Sequence, residues 1–205
     1  MVLSVDLSVV ETKSADSHLL QTYLQQLVGQ PFLHFRFSYG DELSLHFGQP
    51  RPYSTPKLKH LVKGSYILGT RASRWFLRSE SPPIIVLGTK DFEPHDPSGL
   101  TPLSKAELER SEVIQRGARI VLATPVPFTL PPSEVFPGTP VFGYGLSLYL
   151  SDGSSIVIAP EWEPIPPHSD QEIADWELFT PYERYLRVGP GEWWSYLPSR
   201  QTVAS

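Results

Sequence analysis

The sequence predicts an α+β fold: two related antiparallel β-hairpin units, an internal duplication, with an N-terminal helix and one central helix packed on the sheet. Three observations lead there. Most apolar residues fall in short alternating or continuous runs between turn residues, as strands do. A few stretches instead repeat their apolar residues at helical spacing. The pattern of residues 35–47, "FRFSYGDELSLHF", returns at 148–160 as "LYLSDGSSIVIAP".

Taken in order, Leu3, Val5, Leu7 and Val9 alternate with Ser4, Asp6 and Ser8, the period of a half-buried strand. Leu19, Leu20, Tyr23, Leu24 and Leu27 then recur at helical spacing. Ser14 or Asp16 is the cap and Gly29 the terminator of this N-terminal helix. Residues 35–47 form a hairpin with a three-residue loop, Ser38-Tyr39-Gly40, suited to a type I turn closed by a left-handed glycine. That register sets Phe35 opposite Leu43 and Leu33 opposite Leu45 on the inner face, with Arg36 opposite Glu42 on the outer.

A short helix is expected in "STPKLKHLVKG", where Pro56 suits a first turn and Gly64 an end. Strands follow at "SYILGT", "RWFLRS" and "PIIVLG". The central helix is expected over 104–116, since Ser104 and Glu107 have capping-box spacing and Gly117 closes it. After the strand "ARIVLAT", ten of the 22 prolines cluster in 124–140 and 160–168, which read as extended, semi-rigid connectors. The second hairpin loops at Ser151-Asp152-Gly153, and "RYLRVGPGEWWSYLP" closes the chain as strand, glycine turn and strand.

"YILGTRASRWF", 66–76, parallels "YLRVGPGEWW", 185–194, so that hairpin, insert, glycine turn and tryptophan occur twice. The expected organisation is a first β unit over 1–123, a proline-rich connector at 124–140 and a second β unit over 141–205, with one continuous domain as the alternative.

Composition narrows the function classes. With no cysteine, the chain has neither disulfides nor thiolate chemistry nor cysteine-ligated metal. "MVLSVDLSVV" lacks the basic-then-apolar order of a secretory signal, and no stretch approaches the roughly 18 apolar residues of a membrane span. A soluble, cytoplasmic protein that engages no membrane is expected. The net charge of −5 argues against a nucleic-acid packaging role.

Motifs for phosphate-cradling, dinucleotide-binding, zincin and hydrolase-elbow chemistry are absent. His34 and His46 share the outer face of the first hairpin. Two imidazoles are half of a structural zinc site at most, Arg36 between them repels a cation, and no metal or other cofactor is expected. His95-Asp96 and the His168/Asp170 pair sit among prolines and serines, where a solvated loop is the simpler reading.

Charge is segregated along the chain. Between Arg51 and Ser79 stand Arg51, Lys57, Lys59, Lys63, Arg71, Arg74 and Arg78 with no acid. Between Pro160 and Glu183 stand Glu161, Glu163, Asp170, Glu172, Asp175, Glu177 and Glu183 with no lysine or arginine. Either the two segments pair, within the monomer or across a dimer, or one is free for a partner.

The expected function is a non-enzymatic protein-binding module of the immunity- or adaptor-like, bacterial kind, whose partner is another protein or a second copy. The expected contact residues are Lys57, Lys59, Lys63, Arg71, Arg74, Trp75, Trp193 and Trp194. One alternative is an anion or single-stranded nucleic-acid binder through 51–78, with Tyr53, His60, Tyr66 and Trp75 stacking on bases. Another is an enzyme using His34/His46 or the His168/Asp170 loop.

Overall fold

A computed structural model describes residues 17–37, 42–70, 73–80, 83–88, 109, 113–130, 141–159, 176–182, 184–189 and 194–198. For residues 74, 80, 83–88, 130, 141–142 and 194–198 it describes the backbone alone. These residues form two antiparallel sheets and one short helix. The helix α1 (Ser17–Leu24) runs into a 3₁₀ turn, Gln25–Leu27. The strands are β1 (Phe32–Phe37), β2 (Leu43–Pro52), β3 (Val62–Gly69), β4 (Arg74–Glu80), β5 (Pro83–Gly88) and β6 (Ile120–Leu130), then β7 (Val141–Leu150), β8 (Ser155–Ala159), β9 (Trp176–Phe179), β10 (Arg184–Val188) and β11 (Trp194–Pro198). Among the described residues no helix is long and apolar enough to cross a membrane.

One sheet has the order β1-β2-β3-β9-β10-β11 and the other β5-β4-β8-β7-β6. Pairing carries Phe35, Leu45, Leu68, Leu178 and Leu186 straight across the first sheet in one row, and each is buried. Leu77, Ile156, Leu148 and Ala123 make the matching row of the second. The alternation of the strands turns these rows to one side, and they meet in a single hydrophobic core. Contacts that join the sheets include a hydrogen bond from Trp176 Nε1–H to the carbonyl of Tyr144 at 2.9 Å and the rings of Phe37 and Trp75, whose centroids lie 6.0 Å apart.

β6 is an edge strand, and its free side is managed. The Gln21 side chain of α1 donates to the Ala123 carbonyl at 2.8 Å, so Ala123 and the residues of its parity turn their backbone groups away from β7. Pro125 and Pro127 have that parity. They remove two donors from an exposed edge without costing the ladder a bond.

Several expectations change. The α+β prediction narrows to a nearly all-β architecture. The stretch 54–64 is a 3₁₀ turn at Pro56–Leu58, three further turn and bend residues, and then β3 from Val62, because residues 54–60 are exposed and no apolar stripe docks them as a helix. Of the helix expected over 104–116, Glu109 is helical and 113–116 are bend and turn, while the other positions lie outside the described residues, as does the strand expected at 3–9. Thr124–Leu130, expected as connector, is strand and pairs along its length with β7. β9, which pattern reading passed over, sits between β3 and β10.

The second hairpin has the expected loop: Leu150 N–H donates to Ser154 O at 2.9 Å, and Gly153 takes φ 87°. The first hairpin departs from its expected register: Phe37 pairs with Leu43 and Phe35 with Leu45 rather than Leu43, placing Arg36 opposite Ser44, while residues 38–41 lie outside the described residues. The two hairpins also differ in neighbours, since β1 is a sheet edge whereas β7 and β8 are both interior. An internal duplication is therefore not shown. Each sheet instead combines strands from before and after the proline-rich stretch, β3 pairing with β9 and β4 with β8.

Candidate binding arm and its root

β2 and β3 extend past the sandwich. Gln49, Pro50, Arg51 and Pro52 are exposed in succession, which on a strand means that both faces lie in solvent. Opposite them, Arg51 pairs with Lys63 and Pro52 with Val62. Residues 54–60 of the connecting loop are all exposed, Lys57, Leu58, Lys59 and His60 included. The result is a two-stranded arm, residues 49–63, carrying Arg51, Lys57, Lys59 and Lys63 and no acid. Lys63 Nζ stands 5.5 Å from the centroid of the Tyr53 ring, a cation–π contact that braces the arm internally. Among the described residues, Arg51, Lys57 and Lys59 meet no carboxylate.

The arm and the sandwich meet at a stacked imidazole pair, His46 buried and His34 partly so. His34 on β1 and His46 on β2 are direct cross-strand partners, with ring centroids 4.3 Å apart and planes 21° from parallel. His46 is 2% exposed although it lies on the outer face of its sheet. Its Nδ1 accepts the backbone N–H of Gly64 at 3.1 Å, and its Nε2 lies 3.3 Å from Ser44 Oγ. Since Gly64 can only donate, Nδ1 carries no proton and the neutral ring is protonated on Nε2. Burial, the neighbouring His34 and the cations Arg36 and Lys63 push the His46 pKa down to about 3. Burial first, then Arg36 and Arg116, lowers His34 as well, against an opposing pull from Glu109. His34 Nε2 is buried without a hydrogen-bond partner among the described residues.

The face-to-face arrangement decides what the pair can do. Ring nitrogens have lone pairs in the ring plane, so stacked rings do not aim them at one point between them, and both nitrogens of His46 are already engaged. Neither a shared metal nor general-base chemistry on an outside substrate suits this geometry. It is a structural joint.

The structure separates the other expected contact residues. Lys57, Lys59 and Lys63 belong to the arm. Trp75 does not: it is 2% exposed in the core, because its place on β4 points inward, and Tyr66 at 6% is likewise core. Arg78 is exposed on the outer face of the five-stranded sheet, away from the arm's sheet, so 51–78 is not one basic surface. Arg71, Trp193, His95, Asp96, His168 and Asp170 lie outside the described residues, as do the side chains of Arg74 and Trp194. Of the acids in the acidic segment, Glu177 on β9 is described and the others lie outside the described residues.

Sequence reading missed Ser44, Gly64, Arg116 and Glu109 as parts of the joint. Ser44 and Gly64 become visible only with the β2–β3 register, and the other two reach it from far along the chain. Compared with protein-family models, with curated proteins and with solved structures, the chain gives no significant match.

Proposed function

We propose that this chain is a non-catalytic binding module whose arm, residues 49–63, engages an acidic surface of a partner protein. The observation that carries this reading is the arm itself: four cations and no acid on a ribbon open to solvent on both faces. Such a concentration of one charge steers an oppositely charged partner and favours it at close range. The exposed Leu58 and Val62 add apolar contact beside the lysines. An acidic protein suits the arm better than single-stranded nucleic acid, which needs open aromatic faces for base stacking. Of the four aromatic groups counted on for that role, Tyr66 and Trp75 are core, Tyr53 faces Lys63, and His60 alone is exposed on the arm.

The test is fluorescence anisotropy of a labelled polyglutamate peptide and, in parallel, a labelled oligothymidine, across a salt series. Polyglutamate binding that weakens with salt and disappears in the Lys57→Ala/Lys59→Ala/Lys63→Ala variant supports the reading. Tighter binding of oligothymidine by the wild type would replace it with the nucleic-acid alternative.

A further inference from the structure

The imidazole joint does more than fill space at the base of the arm. β3 turns inward at Gly64, directly across from the point where β2 leaves the core. A Cβ at that position would lie 2.5 Å from the Phe47 carbonyl oxygen and 2.6 Å from its nitrogen. No side chain can therefore secure this part of β3, and the Gly64 N–H held by His46 Nδ1 takes that part instead. The acceptor exists only while the ring is neutral. A second proton would have to enter at Nδ1, displacing Gly64 from the one nitrogen still able to accept.

The charges around the pair make that event disruptive. His34 and Arg36 act on His46 from β1 and Lys63 from β3, while Arg116 and Glu109 act on His34 from the segment before β6. Glu109 is the single carboxylate among them, and its carboxylate also accepts the backbone N–H of Phe37 at 2.7 Å. An imidazolium formed here would thus be buried, stacked on a second imidazole and surrounded mainly by cations.

We propose that the stacked His34–His46 pair is a proton-operated latch for the arm: neutral, it holds the β2–β3 root closed, and protonated, it releases Gly64 and lets the root open while the sandwich stays folded. The direction follows from linkage. An exposed imidazole titrates near 6.5, whereas the closed one resists protonation to about 3, so between these values the open form binds more protons and is favoured as pH falls. On that arithmetic, opening at the root rises about 25-fold by about pH 5 and about 200-fold by about pH 4, relative to neutral solution.

Backbone hydrogen exchange of the full chain tests this. Protection factors at residues 46–48 and 62–64 should fall with pH by these factors while those at Leu178 and Leu186 hold. In His46→Asn, whose side-chain oxygen can take the Gly64 N–H but does not titrate, root protection should be independent of pH. Nitrogen-15 shifts of the wild-type imidazoles give a readout that needs no variant, with His46 Nδ1 unprotonated from neutral pH to about pH 5. Loss of root and core protection together, an unchanged pH dependence in His46→Asn, or a protonated Nδ1 at neutral pH would each overturn the latch. Its consequence for binding rests on the arm reading, but exchange at the root does not. A chain that opens with acid yet ignores polyglutamate would keep the latch and sink the arm.

Discussion

Strand β2 passes through two environments in ten residues. Over Leu43–Gly48 it is sheet interior: Leu43, Leu45 and Phe47 enter the core, and His46 is buried on the opposite face. Over Gln49–Pro52 every residue is exposed. The backbone remains paired to β3 throughout, with a register shift between Phe47 and Pro50 marking the change. Pairing alone therefore says nothing about where stability resides. The first half holds the protein together through apolar burial, and the second half is free to carry charge and proline because nothing packs on it.

The largest loss of stability is expected when the buried half is emptied. Leu45 is fully buried in the central row of the first sheet. Leu45→Ala should cost about 2–5 kcal/mol, the range for a large-to-small core change that leaves a cavity. Urea unfolding followed by tryptophan fluorescence checks it: the midpoint should drop with little change in slope. A shift within about 0.5 kcal/mol, typical of surface substitutions, would show that this half is not the structural one.

At the boundary the effect should be smaller and local. Gly64→Ala places a methyl group against the Phe47 backbone, which cannot swing aside as a flexible side chain would. Overpacking of this kind costs about 1–3 kcal/mol. Because the strain falls at the root, trypsin should cut the variant faster than wild type at Lys59 or Lys63 before the core melts. Equal cutting rates would place the boundary elsewhere.

What was legible in the sequence was local. The second hairpin could be read because Asp152 and Gly153 set its turn within five residues, Asp152 accepting both N–H and O–H of Ser154. The first hairpin shows the same Ser-x-Gly lettering, yet Phe35 pairs with Leu45 rather than Leu43, since Phe37 and Leu43 both pack inward and pair. Burial across the sandwich won over turn chemistry there. The basic arm was visible as composition, but Trp75 and Tyr66 looked like its companions until strand alternation sent them into the core. Nor could local pattern show that β3 would lie beside β9 or β4 beside β8, because those partners are far apart in the chain. His34 and His46 were recognised as neighbours, whereas the neutral state of the pair depends on Gly64 at His46 and Arg116 at His34 arriving together, against the opposing pull of Glu109.

The smallest expected effect on stability belongs to the exposed half and its loop, and it sharpens the contrast from the other side. Lys57 and Lys59 are exposed and, among the described residues, meet no carboxylate, so Lys57→Ala/Lys59→Ala removes no packing and no ion pair seen here. Surface changes of this sort shift stability by less than about 0.5 kcal/mol. If anything the sign should be favourable, because four like charges on one narrow ribbon repel each other and the variant carries two fewer. That gain should be largest at low ionic strength and fade as the Debye length shortens to about 8 Å near physiological salt. Thermal melts of wild type and variant at low and high salt measure it directly. A clear destabilisation at low salt that vanishes at high salt would mean the lysines are already paired with carboxylates of this chain or of a second copy. The arm would then be a built-in clasp rather than a surface held open for a partner.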